Sequence, residues 1–397
     1  MLQFSKTFLF ISLIAFANLC FSQDKPEFAV SKIPPTLLKG AEAIVRFEES
    51  KYVIESPRKY THHVTKAVTI LDGDSEEAYV IVFYNQYSKA ELSTITLYDA
   101  DGKFIRKTKK SEIIDQATFD GLSILTDERL KGIRSFGGQL PYTVEYTWSV
   151  SYDQTLYYED WIPAEFNVSV EKATFILETP SDLNIQTKAI NYEFEVKDET
   201  VTTRKIRKWT ISNHPAIEEE KSGPPYHALL PMLIFSPTVF QINEFTGSMS
   251  DWKSFGSFMH DINKGKELMP PQMKEIIHQM TNDCETQYDK IDTLYKWLQK
   301  NMRYVSIQLG IGGWQSFDAA FVEKNRYGDC KALSTFMKGM LKEAGIESYQ
   351  TLIMWDEQDK LFFDDFVTVD FNHMMLYIPS EDMWLECTSN NLPAGVI

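Results

Sequence analysis

The sequence predicts an α+β protein in which an antiparallel β-sandwich precedes a second part made of helices packed on an antiparallel sheet. Three observations predict it. Apolar and aromatic residues recur with a period of two over residues 41–212, and with helical spacing from Trp252 onward. Between these regions, prolines interrupt any regular helix or central strand, at positions 215, 224, 225, 231 and 237.

Composition and charge limit the classes of protein. The chain has 397 residues, of which 43% are hydrophobic and 24% charged, so it buries a core and is not disordered. Lys and Arg total 40 against 56 Asp and Glu, a net charge of -16. This charge repels phosphate backbones, so we expect no nucleic-acid partner. Only one long apolar run occurs, at the N-terminus, which excludes a multi-span membrane protein.

That run predicts a secretory signal peptide over residues 1–22. Lys6 supplies the positive charge, residues 7–19 form the apolar core, and small residues at positions 20 and 22 predict cleavage before Gln23. The competing interpretation, a membrane anchor, is disfavoured because the run is shorter than a membrane span. We therefore expect an exported protein of the periplasm or cell envelope. The cysteines left after cleavage are odd in number, so at least one thiol is free or pairs with another chain: Cys284, Cys330 and Cys387.

The strands of the first part are short and separated by turns. We predict them at residues 51–56, 78–84, 93–98, 142–152, 173–178 and 192–196. Gly102 permits a hairpin at residues 99–103. His62 and His63 point to opposite faces of a strand, so we expect them to be structural and not to share a metal.

The proline-rich stretch marks the division between the two parts. It contains the apolar segment 229–235, which predicts a linker that packs against a domain. The predicted domains are therefore a β-sandwich over residues 23–212, a packed linker over residues 213–248 and a second domain over residues 249–397. The chain ends eleven residues after Glu386, so this second domain is expected to be a fragment or a short variant.

Residues able to do chemistry are concentrated in the second domain. A stripe of Ile291, Leu294, Tyr295 and Leu298 predicts one helix, and a second stripe from Leu333 to Ala344 predicts another, ended by Gly345. Asp329 is placed to cap this second helix, which puts Cys330 in its first turn. The partial positive charge of a helix N-terminus favours a thiolate, the nucleophilic form of cysteine.

A cysteine nucleophile needs an imidazole and a group that orients it. Strands are predicted at residues 349–355, 366–378 and 383–388. If residues 379–382 form a four-residue hairpin loop, Glu386 becomes the diagonal neighbour of His373 on one face, within reach of its ring. A loop one residue shorter would turn Glu386 away. Taken singly, Cys330, His373 and Glu386 could each be structural; their order and spacing predict a triad.

These residues resemble the transglutaminase-like superfamily of papain-like thiol enzymes. The resemblance rests on Gly328-Asp329-Cys330-Lys331 at a helix start, His373 on a strand and an acid on the next strand. Residues 304–308 and 312–315 also look like that superfamily in bacterial exported proteins, and residues 45–212 resemble the β-rich domain of unknown function that precedes the core in many of them. The resemblance implies a papain-like transglutaminase core with Cys330 as nucleophile, His373 as base and Glu386, in the place of the usual aspartate, as orienting acid.

We therefore expect cysteine-dependent acyl transfer or hydrolysis on protein or peptide amides, of the peptidase, amidase or transglutaminase type. The oxyanion formed at the attacked carbonyl needs hydrogen-bond donors, for which Gln315 and Trp314 are candidates; core packing is the alternative for Trp314. No cofactor or metal is expected. The expected partners are a protein or peptide substrate and, through the β-sandwich, a glycan or another envelope component. The alternative is a non-catalytic binding or scaffold protein of the same fold; oligomeric state and the choice between hydrolysis and crosslinking stay open.

Overall fold

The computed structural model describes residues 28–119, 125–134, 139–355 and 361–397. The signal peptide predicted at residues 1–22 lies outside the described residues. After a short helix α1 (Pro35–Leu38), the strands of the N-terminal part are β1 Ala43–Ser56, β2 Lys59–Ile70, β3 Tyr79–Tyr84, β4 Ser88–Leu92, β5 Thr96–Tyr98, β6 Phe104–Lys107, β7 Ile114–Ala117, β8 Leu125–Thr126, β9 Arg129–Arg134, β10 Tyr142–Tyr152, β11 Val168–Pro180, β12 Ile185–Ile190, β13 Glu195–Val201 and β14 Arg204–His214.

A large twisted sheet forms one layer of the N-terminal part. Its strand order is β13-β14-β11-β1-β2-β10-β5-β6, and β4 also pairs with β10. The pairs are antiparallel except for β1 with β11, which run parallel. The prediction of an antiparallel sheet is corrected at this pair, because β11 follows a long excursion of the chain and enters beside β1 in the same direction. A parallel pair needs such a long crossover.

The second layer consists of smaller sheets that cover one face of the large sheet. These are the three-stranded sheet β3-β9-β7 and the pair formed by β12 with a later strand, β15 (Met232–Pro237). Alternate residues of the large sheet, among them Val144 and Phe175, share one buried cluster with Val80 of β3 and with Leu233 and Phe235 of β15. This interdigitation of two inner faces is the packing of a β-sandwich. The predicted hairpin at residues 99–103 is present, with Gly102 at φ +77°.

The proline-rich stretch contains regular structure: α2 Tyr226–Leu229, β15 Met232–Pro237, β16 Phe240–Ile242 and β17 Phe245–Gly247. It is shared between the two parts of the molecule. Strand β15 pairs with β12 and contributes to the sandwich, whereas Phe240 and Ile242 pack with the first helix of the C-terminal part. Pro231 immediately precedes β15, and Pro237 is the last residue of this strand. At these two positions a missing N–H does least harm to strand pairing.

The C-terminal part is built of helices and a small sheet. In chain order it contains α3 Trp252–Asn263, α4 Pro271–Thr281, α5 Gln287–Asn301, β18 Arg303–Tyr304, β19 Ile307–Gln308, α6 Ala319–Asn325, β20 Tyr327–Gly328, α7 Cys330–Glu343, β21 Tyr349–Ile353, β22 His373–Ile378 and β23 Met383–Leu385. Helices α4, α5 and α7 surround one cluster with the antiparallel sheet β21-β22-β23. The strand predicted over residues 366–378 is shorter than expected and begins only at His373.

Candidate active site

Cys330 is the first residue of helix α7, as predicted. The Asp329 carboxylate caps this helix by accepting a hydrogen bond from the Ala332 N–H at 2.8 Å. Asp329 also forms an ion pair with Lys331 at 2.5 Å, and both side chains are buried. The pair neutralises the carboxylate, so Asp329 can cap the helix without placing an uncompensated negative charge beside the thiol. Cys330 itself is 6% exposed.

His373 and Glu386 come together through the hairpin formed by β22 and β23. Ile378 lies opposite Met383 and Tyr377 opposite Trp384, which confirms the register predicted from a four-residue loop. Strand β23 ends at Leu385, yet the next residue still reaches the ring: the His373 Nε2 donates to Glu386 Oε2 at 2.7 Å. The second carboxylate oxygen of Glu386 accepts hydrogen bonds from the N–H and the hydroxyl of Thr388.

The protonation of His373 reflects both of its partners. Burial lowers the pKa of the imidazole, but the hydrogen bond with Cys330, followed by the hydrogen bond with and the charge of Glu386, raises it to about 9. Because Nε2 binds Glu386, Nδ1 is the ring nitrogen left for the thiol. Burial also acts on Glu386 by raising its pKa, but the hydrogen bonds from His373 and Thr388 outweigh burial and lower it. At neutral pH the site therefore holds an imidazolium next to a carboxylate.

A cleft of about 310 Å³ opens onto this triad. Its lining residues are Tyr304, Ser306, Gln308, Gly313, Trp314, Cys330, Lys331, Leu352, Phe371, Asn372, His373 and Met374. Trp355 adds a cover on the histidine side, with its ring edge-on to the His373 ring at 5.6 Å between centroids. Asn372 fixes this cover: its side chain accepts from the Trp355 N–H at 2.7 Å and donates to the Trp355 carbonyl at 3.0 Å.

The structure separates the two oxyanion candidates. Trp314 lines the cleft and packs edge-on against Phe255 at 6.3 Å. Gln315 does not line it; its Nε2 donates to the Ile262 carbonyl at 2.7 Å, so the expectation for Gln315 is corrected. A tight turn precedes the two residues, because the N–H groups of Trp314 and Gln315 both donate to the Ile311 carbonyl. After this turn the two side chains point in different directions.

Gln308 takes the place that the sequence suggested for Gln315. It lines the cleft, and its Oε1 accepts from Lys331 Nζ at 3.2 Å. This contact orients the Gln308 amide so that its NH₂ group faces Ser306 at 3.2 Å and Asp329 at 3.5 Å. The sequence signal for it was the segment 304–308, in which residues 304, 306 and 308 share one face of an extended chain, and all three line the cleft.

The other sequence candidates lie outside the cleft. Cys387 is buried, and burial raises the pKa of its thiol. Cys284 is partly buried between α4 and α5, where its thiol contacts the Met280 carbonyl and the Thr293 hydroxyl. His62 is buried against Ser50, whereas His63 is more exposed. Within the described residues, no group of three or more His, Cys, Asp or Glu is arranged to hold a metal ion.

None of the helices seen in the described residues combines the length and the apolar character needed to cross a membrane.

Comparison with solved structures supports the fold. A candidate protease from Parabacteroides distasonis, 14% identical, matches with a TM-score of 0.66 over 89% of this chain and 68% of that chain. An M1 zinc metallopeptidase from Deinococcus radiodurans, 10% identical, matches over 60% of this chain and 53% of that chain with a TM-score of 0.24, which is too low to bear on this chain. Comparison with curated proteins gives no significant match.

Two family models match consecutive regions. Residues 56–218 match the domain of unknown function DUF3857, and residues 274–389 match the core of the transglutaminase-like superfamily. The second match contains Cys330, His373 and Glu386 in the order in which the fold brings them together. Residues 56–218 therefore form a DUF3857 domain, and residues 274–389, further along the chain, form a transglutaminase-like core.

Proposed function

We propose that this protein is an exported cysteine-dependent enzyme that cleaves or transfers the acyl group of protein or peptide amides. The observation that carries the proposal is the Cys330–His373–Glu386 arrangement, in which Cys330 and His373 line an open cleft and Glu386 is buried behind His373. A nucleophile, a base within hydrogen-bonding range and an acid that orients the base are the groups that acyl transfer requires.

Each group has a defined role in the first half of the reaction. The Cys330 sulfur attacks the amide carbonyl carbon and forms a C–S bond, and the carbonyl oxygen becomes an oxyanion. The donors that we propose for this oxyanion are the Cys330 N–H and the Gln308 side-chain amide, which lines the cleft and would turn from Ser306 and Asp329 toward the substrate. The C–N bond then breaks, and the His373 imidazolium gives its proton to the departing amine. A thioester on Cys330 remains.

The second half returns the enzyme to its starting state. A water molecule or a second amine attacks the thioester carbonyl while His373 takes up a proton from it. The C–S bond breaks, the acid or new amide leaves, and the sulfur returns to its pair with the imidazolium. Glu386 keeps His373 in one orientation throughout, because its carboxylate is held from the other side by Thr388.

The experiment that tests the proposal measures both outcomes with one substrate. The purified full chain is incubated with casein and dansylcadaverine, and new amino groups and incorporated dansyl label are quantified separately. We expect either new amino groups or incorporated dansyl label to appear. Cys330→Ala and His373→Ala should each reduce that signal by at least about 10³-fold, because nucleophile and base act as one unit. Cys284→Ala, which changes a thiol outside the cleft, should keep full activity.

A second measurement covers the case of an unsuitable substrate. Iodoacetamide at limiting concentration should label Cys330 before Cys284 or Cys387, as read by peptide mass spectrometry, and His373→Ala should remove this preference. A non-catalytic binding or scaffold protein would neither turn over casein nor be labelled preferentially at Cys330. The absence of both signals would refute the enzyme proposal.

A further inference from the structure

A second cleft of about 370 Å³ lies beside the catalytic one. The two clefts share a wall formed by Leu352, Phe371 and Met374. Aromatic residues form one side of the second cleft: Phe255 is buried, Trp252 is fixed by donating its Nε1–H to the Phe363 carbonyl at 2.8 Å, and Phe371 packs against both. The cleft can thus receive an apolar side chain next to the triad.

The other side of the second cleft carries positive charge. Lys338, half-buried on α7, contributes an ammonium group that donates to Gln350 Oε1 at 3.5 Å, and among the described residues it forms no ion pair. Lys264 also lines the cleft. The lining acid, Glu267, is already paired with Lys342 at 2.8 Å. In a chain of net charge -16, this excess of positive charge favours an anionic ligand.

The distance between Lys338 and the nucleophile fits a peptide. Lys338 follows Cys330 by eight residues on α7, which is about 12 Å along the helix axis at 1.5 Å per residue. An extended peptide advances about 3.3 Å per residue, so this distance corresponds to three or four residues. Strand β21 offers a path: within the described sheet it pairs only with β22, and its residues from Tyr349 to Leu352 line the second cleft. An exposed strand edge can pair with an extended peptide.

We propose that the second cleft is a substrate subsite for an acidic residue that stands three or four positions from the reacting amide, next to an apolar or aromatic residue. The substrate carboxylate binds Lys338, and the apolar side chain packs against Trp252, Phe255 and Phe371. The substrate class is therefore an acidic, aromatic-containing segment of a protein or peptide. This inference rests on the proposed function, because it names what that same active site selects.

Binding is tested without catalysis in the Cys330→Ala chain. The probes are an N-acetylated hexapeptide amide with Phe-Glu-Phe at its centre and the same peptide with Phe-Gln-Phe, compared by isothermal titration calorimetry. We expect the glutamate peptide to bind about tenfold more tightly, since a charged hydrogen-bonded pair replaces a neutral one. Lys338→Gln should abolish this difference, and Lys296→Gln, at an exposed lysine on α5 outside the cleft, should preserve it.

A steric variant tests the location of the subsite. Gly256 lines the cleft from α3, and a Cβ added there meets no atom within 4 Å, so Gly256→Leu should fill the cleft without disturbing the fold. We expect this variant to weaken both peptides by at least about tenfold. Ser257→Leu, at the next residue, is exposed and outside the cleft, so it should leave binding unchanged.

The outcomes distinguish the subsite from the catalytic proposal. Discrimination between the two peptides that depends on Lys338 supports the subsite even if casein is not turned over. Equal binding of the two peptides, or discrimination that survives Lys338→Gln, overturns the subsite even if Cys330 proves catalytic. In an active enzyme, a peptide library read by mass spectrometry should show Asp or Glu enriched three or four positions from the modified amide, and Lys338→Glu should replace them with Lys or Arg.

Discussion

Glu386 is one methylene longer than the aspartate that the sequence resemblance implies at this position, and the structure shows how the longer side chain is accommodated. One carboxylate oxygen accepts from His373, and the other is held by the N–H and hydroxyl of Thr388. Because both oxygens are fixed, the additional methylene does not loosen the contact with the imidazole. The residue starts just past the end of β23, and this displacement uses the extra length.

The pKa of His373 should depend on both neighbours. In the wild type it is raised to about 9, so the imidazolium persists at neutral pH and is lost as the pH rises through about 9. Because Cys330 and Glu386 both raise this pKa, Cys330→Ala and Glu386→Gln should each lower it. An NMR titration of the His373 ring, assigned with His373→Gln, measures the change. An unaltered pKa in both variants would contradict the described geometry.

The raised pKa of His373 also affects the stability of the fold. A pKa raised above the ordinary value of 6.5 means that the imidazolium stabilises the fold fully below about pH 6.5 and that this contribution disappears as the pH rises through about 9. Urea unfolding of the wild type should therefore show a loss of stability over this window. The loss should be smaller in Glu386→Gln, since the folded-state pKa of His373 is then closer to that of the unfolded chain.

Gln308 and Gln315 form a matched pair for testing the oxyanion site. Gln308→Ala should reduce kcat by about 10²-fold with little change in KM, because it removes a donor used in the transition state. Gln315→Ala should leave kcat unchanged and cost about 1 kcal/mol of unfolding free energy, because it removes one hydrogen bond to the Ile262 carbonyl. Steady-state kinetics and thermal unfolding of both variants decide the assignment; the reverse pattern would exclude Gln308.

Helix α7 is the element on which the site depends. Asp329 caps its N-terminus, and Gly345, at φ +79°, ends it through a hydrogen bond from its N–H to the Lys342 carbonyl. Between these residues, nearly every side chain of α7 is buried against α4, α5, α6 or the sheet, so the helix cannot move without disrupting the core. Cys330 is therefore carried by a rigid support.

Asp329 should contribute far more to stability than an ordinary helix cap. Asp329→Ala removes a cap and leaves the buried ammonium of Lys331 without its partner, so we expect a loss of about 3–5 kcal/mol. Asp318→Ala is the control, because Asp318 caps α6 at the surface by accepting from the Phe321 N–H, and its loss should cost about 1 kcal/mol. Chemical denaturation of both variants gives the comparison; equal losses would mean that the Lys331 pair adds nothing.

At the scale of the whole molecule, the DUF3857 domain contacts the wall of the cleft at Cys330. The backbone of β8 pairs in parallel with β19, which places Thr126 beside Gln308. A few residues further on, Gly310 adopts φ +53° and lies against Gln86 and Tyr87 of the N-terminal domain. The strand that presents Gln308 is thus positioned by a domain that contributes no residue to the triad.

Gly310→Ala should therefore impair the active site from a distance. A Cβ at this position would lie 2.0 Å from Gln86 Nε2 and 2.8 Å from the Tyr87 hydroxyl, and the positive φ adds backbone strain. We expect kcat to fall at least about tenfold through displacement of Gln308. Gly312→Ala, where an added Cβ meets nothing within 4 Å, should retain kcat. Kinetics of the two variants at a temperature well below unfolding isolate the effect, and equal activity would show that the domain contact is not needed for catalysis.

Local sequence alone determined the parts of the site that depend on neighbouring residues. Asp329 predicts a cap, Cys330 a first-turn position and Gly345 a helix end, because capping depends on hydrogen bonds and φ angles within a few residues. The period of two over residues 142–152 predicted β10 for the same reason. The contact of His373 with Glu386 required one further assumption, the length of a hairpin loop, which the structure confirms.

Tertiary structure decided what depends on packing between distant segments. Three features depend on elements far apart in the chain. They are the position of Gln308 rather than Gln315 at the cleft, the parallel pairing of β1 with β11, and the second cleft at Lys338. A side chain's direction after a tight turn, or the partner that a strand meets after a long excursion, is chosen by the burial of the whole core. The short-range pattern of residues does not contain that information, so the position of Cys330 at a helix start was readable from the sequence and the clefts around it were not.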